Sequence, residues 1–342
     1  MLRRLLLVAS LTLTVALGSG CSQENIVDSA LTLEQKVSRL ERKSIRIDDH
    51  EIVYMEGGSG PTILMLHGIT ADSGNWTRFA RHFSNNYHVI IPDLPGFGRS
   101  SRIADASYSV PKQTERVRAL MQALGVRQFH LVGNSMGGYI GAYYAATHPD
   151  EVLTLGLFDA AGVDSPQKTE FMQQLFAGNN LMLPQDRDDF RRILKLVMEE
   201  PPFIPGYVLD VLGERAVEHK AFNARIFDEL RREELNLAPL LPQVKAPTLL
   251  LWGGKDRIID ISSIQVFRQN LTRAKTSVVV MPEVGHIPML ERPGETARVE
   301  ILKIFRTLAQ SDIADRQARA FGRGDHRAAA RRAVELGDGE RG

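Results

Sequence analysis

The chain of 342 residues contains a single cysteine, and aromatic residues make up only 7% of it. One cysteine can form neither a disulfide within the chain nor a metal site built from several thiolates. Lys and Arg number 42 against 41 Asp and Glu, so the formal net charge is +1. This balance argues against a nucleic-acid-binding surface over the whole molecule, and nucleic acid is not expected as a partner.

The sequence also lacks any uninterrupted apolar run of about 18 residues or more, which excludes a protein with several membrane spans. Hydrophobic residues make up 43% of the chain. A chain of this length and composition can bury one large core and still carry a smaller insertion. The composition therefore predicts a mostly soluble globular protein.

The first 21 residues have the layout of a secretory signal. Two arginines precede an apolar run from Leu5 to Leu17, and three small residues then lead to Cys21. A bacterial lipoprotein signal carries its lipidated cysteine at this point, although Gly18 stands where that signal usually has leucine. We therefore predict a lipoprotein-type segment over residues 1–21, with lipidation at Cys21.

A cleaved ordinary signal and an uncleaved N-terminal anchor are the alternatives for this segment. All three predict a protein of the cell envelope, and a retained anchor makes the membrane surface a partner of a domain that faces the periplasm. The sequence gives no indication of the oligomeric state.

Residues 22–44 are predicted as a linker with an amphipathic helix. Leu33, Val37 and Leu40 share one face of a helical pattern over residues 31–43, with basic residues around them. Such a helix either lies on the membrane next to the anchor or docks on the globular domain, and the sequence leaves both interpretations open.

Beyond the linker, short apolar runs alternate with helical patterns. Strands are predicted as a hairpin over 45–55 with its turn at residues 48–50, and then over 62–67, 87–92, 127–133, 151–158, 247–253 and 276–281. Helices are predicted over 72–83, 111–125, 136–148, 262–273 and 295–309. This alternation predicts an α/β fold with a mostly parallel sheet and helices on both faces.

One stretch breaks the alternation. Residues 163–237 carry helical patterns and several prolines but no strand pattern. We interpret them as a helical cap inserted into a core formed by residues 45–162 and 238–312. The many apolar side chains of this cap suit either an acyl-chain tunnel or the cap's own small core. Residues 313–342 are rich in Arg, Ala and Gly, which predicts a disordered tail.

Residues 133–137 read Gly-Asn-Ser-Met-Gly, a G-x-S-x-G motif between a predicted strand and a predicted helix. Such a sharp turn needs small neighbours and lifts the Ser135 hydroxyl clear of the sheet. A serine nucleophile needs a base and an orienting acid, which follow it in the chain. Asp256 and His286 meet this requirement. Each stands just after the carboxyl end of a predicted strand, and a parallel sheet presents its active groups at these ends.

Two rival residues are present. Asp159 ends another predicted strand and is an alternative acid. His67 is an alternative base, but it precedes the serine and stands beside Gly68, which favours a role in shaping the loop. The His-Gly-Ile turn after a predicted strand predicts an oxyanion hole formed by the backbone N–H groups of Ile69 and Met136. No metal-ligand pattern occurs, and this chemistry needs neither a metal nor an organic cofactor.

Together these residues resemble the α/β-hydrolase family over about residues 45–310. The stretches HGITADSGNW, PDLPGFGRSS, LVGNSMGG, LLLWGGKDRIID and VGHIPMLERP are similar to membrane-associated monoacylglycerol lipases and related bacterial lipases and esterases. The resemblance implies a serine hydrolase that cleaves lipidic carboxylic esters (monoacylglycerol, lysophospholipid or phospholipid) through an acyl-enzyme. It also implies a cap between two strands of the sheet.

A second hypothesis comes from the GNSMGG stretch, which also occurs in C–C bond hydrolases that cut ring-fission products of aromatic compounds. Those enzymes usually carry a glycine- and proline-rich loop after the first His-Gly pair and an aromatic residue after the catalytic histidine. This chain has residues 69–72, Ile-Thr-Ala-Asp, and Ile287 at these two places. A third hypothesis is a catalytically silent lipoprotein that binds a ligand or partner.

Overall fold

The computed structural model describes residues 23–233 and 235–308. Its strands are β1 Glu41–Ile47, β2 His50–Gly57, β3 Thr62–Leu66, β4 His88–Pro92, β5 Phe129–Asn134, β6 Val152–Phe158, β7 Thr248–Gly253 and β8 Thr276–Met281. They form one sheet in the order β1-β2-β4-β3-β5-β6-β7-β8. The hairpin β1–β2 and the pair β2–β4 are antiparallel, and all other neighbours are parallel.

The helices are α1 Gln23–Val37, α2 Thr77–Ala80, α3 Val110–Ala123, α4 Met136–Thr147, α5 Glu170–Phe176, α6 Arg187–Val197, α7 Gly206–Glu218, α8 Lys220–Glu233, α9 Ser263–Asn270, α10 Pro288–Glu291 and α11 Pro293–Leu308. Two short 3₁₀ helices span Ser73–Trp76 and Leu241–Gln243. None of the helices in the described ranges has the length and apolar character needed to cross a bilayer.

The core lies on both faces of the parallel strands. Every residue of β3, β5 and β7 is buried, which explains why these strands are continuous apolar runs rather than alternating ones. Helix α4, whose sequence MGGYIGAYYAAT is apolar almost all round, is buried behind the sheet. A helix with this composition belongs to a protein interior, and it holds the turn that precedes it in a fixed position.

Helices α5–α8, between β6 and β7, form what we call the cap. Two carboxylates of helix α8 bind backbone N–H groups of the core at the start of α3. Glu229 accepts hydrogen bonds from the Tyr108 N–H at 3.0 and 2.9 Å, and Glu233 accepts one from the Val110 N–H at 3.1 Å. The cap is therefore attached to the core by polar contacts as well as by packing.

The predicted helix over 31–43 is wrong at both ends, since α1 begins at Gln23 and ends at Val37. Residues 41–47 instead pair with β2 along their whole length, and the hairpin therefore starts before its predicted first residue. Leu40 is buried in the core, whereas Leu33 and Val37 are each 52% exposed. Sheet pairing and core burial override the helical spacing of these apolar residues.

The predicted helix over 72–83 is also wrong. It divides into the 3₁₀ turn over 73–76 and the single helical turn of α2. Asp72 accepts a hydrogen bond from the Gly74 N–H at 2.7 Å, and Asp93 accepts one from the Ser73 N–H at 2.8 Å. These two carboxylates hold the chain in a tight turn where the sequence pattern alone suggests a longer helix.

Candidate active site

Ser135 occupies the sharp turn between β5 and α4. Its backbone adopts φ 55° and ψ −119°, a strained conformation for a residue with a side chain. A Cβ on Gly133 would lie 2.2 Å from the carbonyl oxygen of Gly137, and a Cβ on Gly137 would lie 2.2 Å from that of Leu66. Any residue with a Cβ would clash at both positions, so the turn requires glycine on each side of the serine. This is the physical reason for the G-x-S-x-G motif.

Asp256 and His286 contact each other directly. The His286 Nδ1 lies 2.8 Å from Asp256 Oδ2, and the two side chains are 5% and 1% exposed, respectively. A carboxylate only accepts hydrogen bonds, so Nδ1 is the donor and Nε2 of the neutral ring is left as an acceptor. The pair forms because β7 and β8 are parallel neighbours, and the two residues follow these strands at the same edge of the sheet.

Asn134 joins the serine turn to the histidine loop. Its Nδ2 donates to the His286 carbonyl oxygen at 2.9 Å and to that of Phe158 at 3.1 Å. Ser135 and His286 are themselves 7% and 4% exposed. Among the hydrogen bonds of the described residues, none joins the Ser135 hydroxyl to His286. Such bonds are commonly long in an apo site and tighten when substrate binds.

The two predicted oxyanion-hole residues lie on either side of the serine turn. A Cβ on Gly68 would lie 3.2 Å from the Ser135 Cβ, so the loop that contains Ile69 packs against the serine. Within the described part of the chain, the N–H groups of Ile69 and Met136 donate to no other group. Met136 begins α4, where N–H groups have no partner inside the helix, and both amides are free to bind an anionic oxygen.

His67, the rival base, is fully buried with both ring nitrogens occupied. Its Nε2 accepts a hydrogen bond from the Leu94 N–H at 2.9 Å, and its Nδ1 donates to the Gly68 carbonyl oxygen at 2.7 Å. Burial lowers the pKa of the imidazole, which agrees with a neutral ring. His67 therefore braces the loop that contains Ile69.

Asp159, the rival acid, lies close to the Asp256–His286 pair without bonding to the histidine. Its Oδ1 accepts a hydrogen bond from the Gly253 N–H at 2.8 Å. These three residues are the one group among the described residues whose side chains are close enough to hold a metal ion. The Nδ1 of His286 and the Oδ2 of Asp256 already pair with each other, so the arrangement suits proton transfer better than metal binding.

Glu291 and Asn134 are site residues to which sequence reasoning assigned no role. Glu291 is buried, and its carboxylate accepts hydrogen bonds from the N–H groups of Gly285 at 2.9 Å, Glu199 at 3.1 Å and Glu200 at 2.9 Å. Both residues stand inside stretches that carry the family resemblance. Their local sequence does not distinguish a buried polar side chain from an exposed one.

Comparison with known proteins identifies relatives along most of the chain. A family model described as the alpha/beta hydrolase fold matches residues 61–195. The chain is 34% identical to lipase 1 of Psychrobacter immobilis over 322 residues, which cover 91% of this chain and 99% of that protein. It is 31% identical to a monoacylglycerol lipase of Xenopus laevis over 258 residues, which cover 71% and 74% of the two chains.

Solved structures give the same result. The crystal structure of a membrane phospholipase A, described as a bacterial virulence factor, superposes with a TM-score of 0.82 at 46% identity, over 88% of this chain and 98% of that one. A 2-hydroxy-6-oxo-6-phenylhexa-2,4-dienoate hydrolase of a Rhodococcus strain superposes with a TM-score of 0.69 at 22% identity, over 78% and 99%, and a likeness at that identity shows the fold alone. The predicted fold and the predicted resemblance to lipases are confirmed. The chain belongs to the α/β-hydrolase family and is a lipase-type carboxylic-ester hydrolase.

Proposed function

We propose that this enzyme hydrolyses acyl esters of membrane lipids, with Ser135 as nucleophile, His286 as base and Asp256 as orienting acid. The substrate class is a monoacylglycerol, a lysophospholipid or a phospholipid. The observation that supports this most is the 2.8 Å contact between His286 and Asp256 on a loop that Asn134 joins to the strained serine turn. The names of the relatives support the choice of a lipidic ester.

In the proposed reaction the Ser135 hydroxyl attacks the acyl carbon while the Nε2 of His286 takes its proton. Asp256 orients the imidazole and stabilises the imidazolium without itself being protonated. The N–H groups of Ile69 and Met136 bind the oxyanion, and each such donor stabilises the transition state by about 3 kcal/mol. The alcohol leaves with the proton from His286. Water then attacks the acyl-enzyme and gives a proton to His286. His286 passes that proton to the Ser135 Oγ as the bond between this oxygen and the acyl carbon breaks, which releases the fatty acid and restores the free enzyme.

The proposed location is the cell envelope, with the domain attached to a membrane by its N-terminal segment and facing the periplasm. Residues 1–22, including Cys21, lie outside the described residues, but helix α1 follows them directly. Arg215 of the cap helix α7 lies 3.0 Å from Asp28 and 3.8 Å from Glu24. A membrane attachment just before α1 would therefore hold the cap close to the bilayer, where lipid substrates are.

Hydrolysis of a substrate panel tests the proposed activity. The panel contains p-nitrophenyl esters of short to long chain, a monoacylglycerol, a lysophospholipid and a diacyl phospholipid. We expect Ser135→Ala to lower ester turnover by about 10⁴-fold or more and to prevent labelling by a fluorophosphonate. Ser84→Ala is the matched control, because the Ser84 hydroxyl is buried and has no hydrogen-bond partner among the described residues.

Folded wild-type enzyme that turns over none of these esters would contradict the proposed activity. An aromatic ring-fission product, added to the same panel, distinguishes the C–C hydrolase from a silent binder, which would turn over nothing.

Fractionation of cells tests the location. We expect the full chain in the membrane fraction, and its release by Cys21→Ser indicates lipidation, whereas its retention indicates an uncleaved anchor. Wild-type chain in the soluble periplasmic fraction would contradict membrane attachment.

A further inference from the structure

A second carboxyl group lies beside the Asp256–His286 pair. Asp159 follows β6 and is completely buried. One side-chain ligand atom from each of the three residues lies within 4.8 Å of the other two. The Asp159 backbone adopts φ 47°, a region that residues with side chains rarely occupy and that costs free energy. The fold therefore keeps this carboxyl next to the site in spite of a local backbone cost.

The two carboxyl groups differ in their hydrogen-bond donors. Asp256 accepts hydrogen bonds from His286 Nδ1 at 2.8 Å and from the N–H groups of Ile258 at 2.7 Å and Ile259 at 3.1 Å. Asp159 accepts a single one, from the Gly253 N–H to Oδ1. Its Oδ2 is buried with no hydrogen-bond partner among the described residues. The negative charge is therefore stabilised much better on Asp256 than on Asp159.

Two buried carboxyl groups at this distance do not both ionise, because their like charges repel each other in a poorly solvated site. Burial, followed by the charge on Asp256, raises the pKa of Asp159 well above its usual range. Glu291, which faces the same site from α10, acts in the same direction. His286 is the remaining titratable group of the cluster. Burial, the missing partner of Oδ2 and the neighbouring charge on Asp256 therefore all favour the neutral, protonated form of Asp159.

We infer that Asp159 is a positioning residue, a neutral carboxylic acid whose O–H donates a hydrogen bond to the Asp256 carboxylate. This inference rests on the proposed function, in which Asp256 orients His286. The O–H supplies a fourth donor to Asp256 and gives the Asp159 Oδ2 its missing partner. Asp159 touches neither the substrate nor the transferred proton. The two acids that the sequence offers as alternatives thus act together, because Asp159 orients Asp256 and Asp256 orients His286.

Substitution by asparagine separates this role from that of an ionised acid. The amide of Asp159→Asn still accepts from Gly253 and donates an N–H in place of the O–H, so we expect kcat/KM to stay within about threefold of wild type. Asp159→Ala removes both bonds and should lower kcat by about tenfold or more with little change in KM. Asp256→Asn should lower kcat by about 10⁴-fold. Loss of activity in Asp159→Asn, with Asp256→Asn tolerated, would overturn the inference.

Two further measurements separate positioning from a merely structural role. As pH rises and Asp159 loses its proton, the donor disappears and wild-type kcat/KM falls, whereas Asp159→Asn has no such proton and keeps its activity to higher pH. Infrared difference spectra of wild type minus Asp159→Asn should contain the carbonyl band of a protonated carboxylic acid at pH 7. That band does not depend on turnover, so its absence overturns the inference even if the enzyme is active, and inactivity of wild type leaves the band intact.

Discussion

The backbone N–H of His286 donates a hydrogen bond to the carbonyl oxygen of Val197, which is 2.7 Å away. Val197 ends helix α6 of the cap, and a Cβ on Gly285 would lie 2.6 Å from the same carbonyl oxygen. The carboxylate of Glu291 joins the two segments a second time, through the N–H groups of Gly285 and of Glu199. Movement of the cap is thereby coupled to the position of the proposed base.

Glu291→Gln should weaken this connection. An amide can replace only one of the two carboxylate oxygens as an acceptor, and its N–H₂ group opposes backbone N–H donors. We expect the free energy of unfolding to fall by about 2–3 kcal/mol and kcat/KM to fall by about tenfold or more. Urea unfolding and ester kinetics measure the two effects. Glu283→Gln is the control because its side chain is 72% exposed, and equal behaviour of the two variants would disprove the coupling.

The serine turn makes a prediction about two glycines of helix α4. The Cβ of Gly137→Ala would lie 2.2 Å from a backbone carbonyl oxygen, whereas that of Gly141→Ala meets its nearest neighbour at 3.6 Å. We expect Gly137→Ala to destabilise the protein by about 3 kcal/mol and to abolish labelling by a fluorophosphonate. Gly141→Ala should be neutral or stabilising by up to about 1 kcal/mol. Thermal unfolding of the two variants tests this prediction. Similar melting temperatures for Gly137→Ala and Gly141→Ala would show that the turn is not tightly packed.

Glu300 on α11 makes the stability of the fold depend on pH. Its side chain is buried against Gly156 of β6, and burial raises its pKa from 4.5 to about 8. The folded state therefore holds this proton more tightly than the unfolded state. This contribution to stability is complete below pH 4.5 and is lost as the pH rises to about 8.

Glu300→Gln removes that proton equilibrium. At pH 8 we expect the variant to be more stable than wild type by on the order of 3 kcal/mol, with a smaller difference at pH 5. Urea unfolding of both proteins between pH 5 and pH 8 gives the difference directly. Glu295→Gln, at a partly buried position earlier on the same helix, is the control and should follow wild type. A difference that does not change with pH would refute the assignment.

Helix α1 exposes Leu33 and Val37 one turn apart on its outer face, each at 52%. If the N-terminal segment attaches the enzyme to a membrane, this pair is available to enter the lipid headgroup region. We expect the double substitution Leu33→Ser/Val37→Ser to lower turnover of vesicle phospholipid by about tenfold, with turnover of a soluble short-chain ester unchanged. Leu153→Ser is the control, at another exposed leucine. Equal losses on both substrates would indicate misfolding instead.

The sequence predicted most strands of the core to within two residues at their ends. Runs such as TILML and TLLLWG are apolar throughout, and a completely buried strand needs no other signal. The two incorrect helices, over 31–43 and 72–83, have apolar residues at spacings that suit both a helix and the observed turns. Their outcome depends on partners elsewhere, namely β2 for the first and Asp93 for the second.

Local sequence was also sufficient to place a serine on a strand-to-helix turn, because the G-x-S-x-G pattern is contained within five residues. The contact that requires Gly133 is with nearby Gly137, whereas the contact that requires Gly137 is with Leu66 of β3. Tertiary structure alone decides which carboxyl group contacts the imidazole of His286, since Asp159 and Asp256 both follow parallel strands of one sheet. It likewise decides that both nitrogens of His67 are occupied and that Glu291 binds the cap. These outcomes depend on distances of a few ångströms between residues far apart in the chain, and hydrophobic pattern carries no information at that scale.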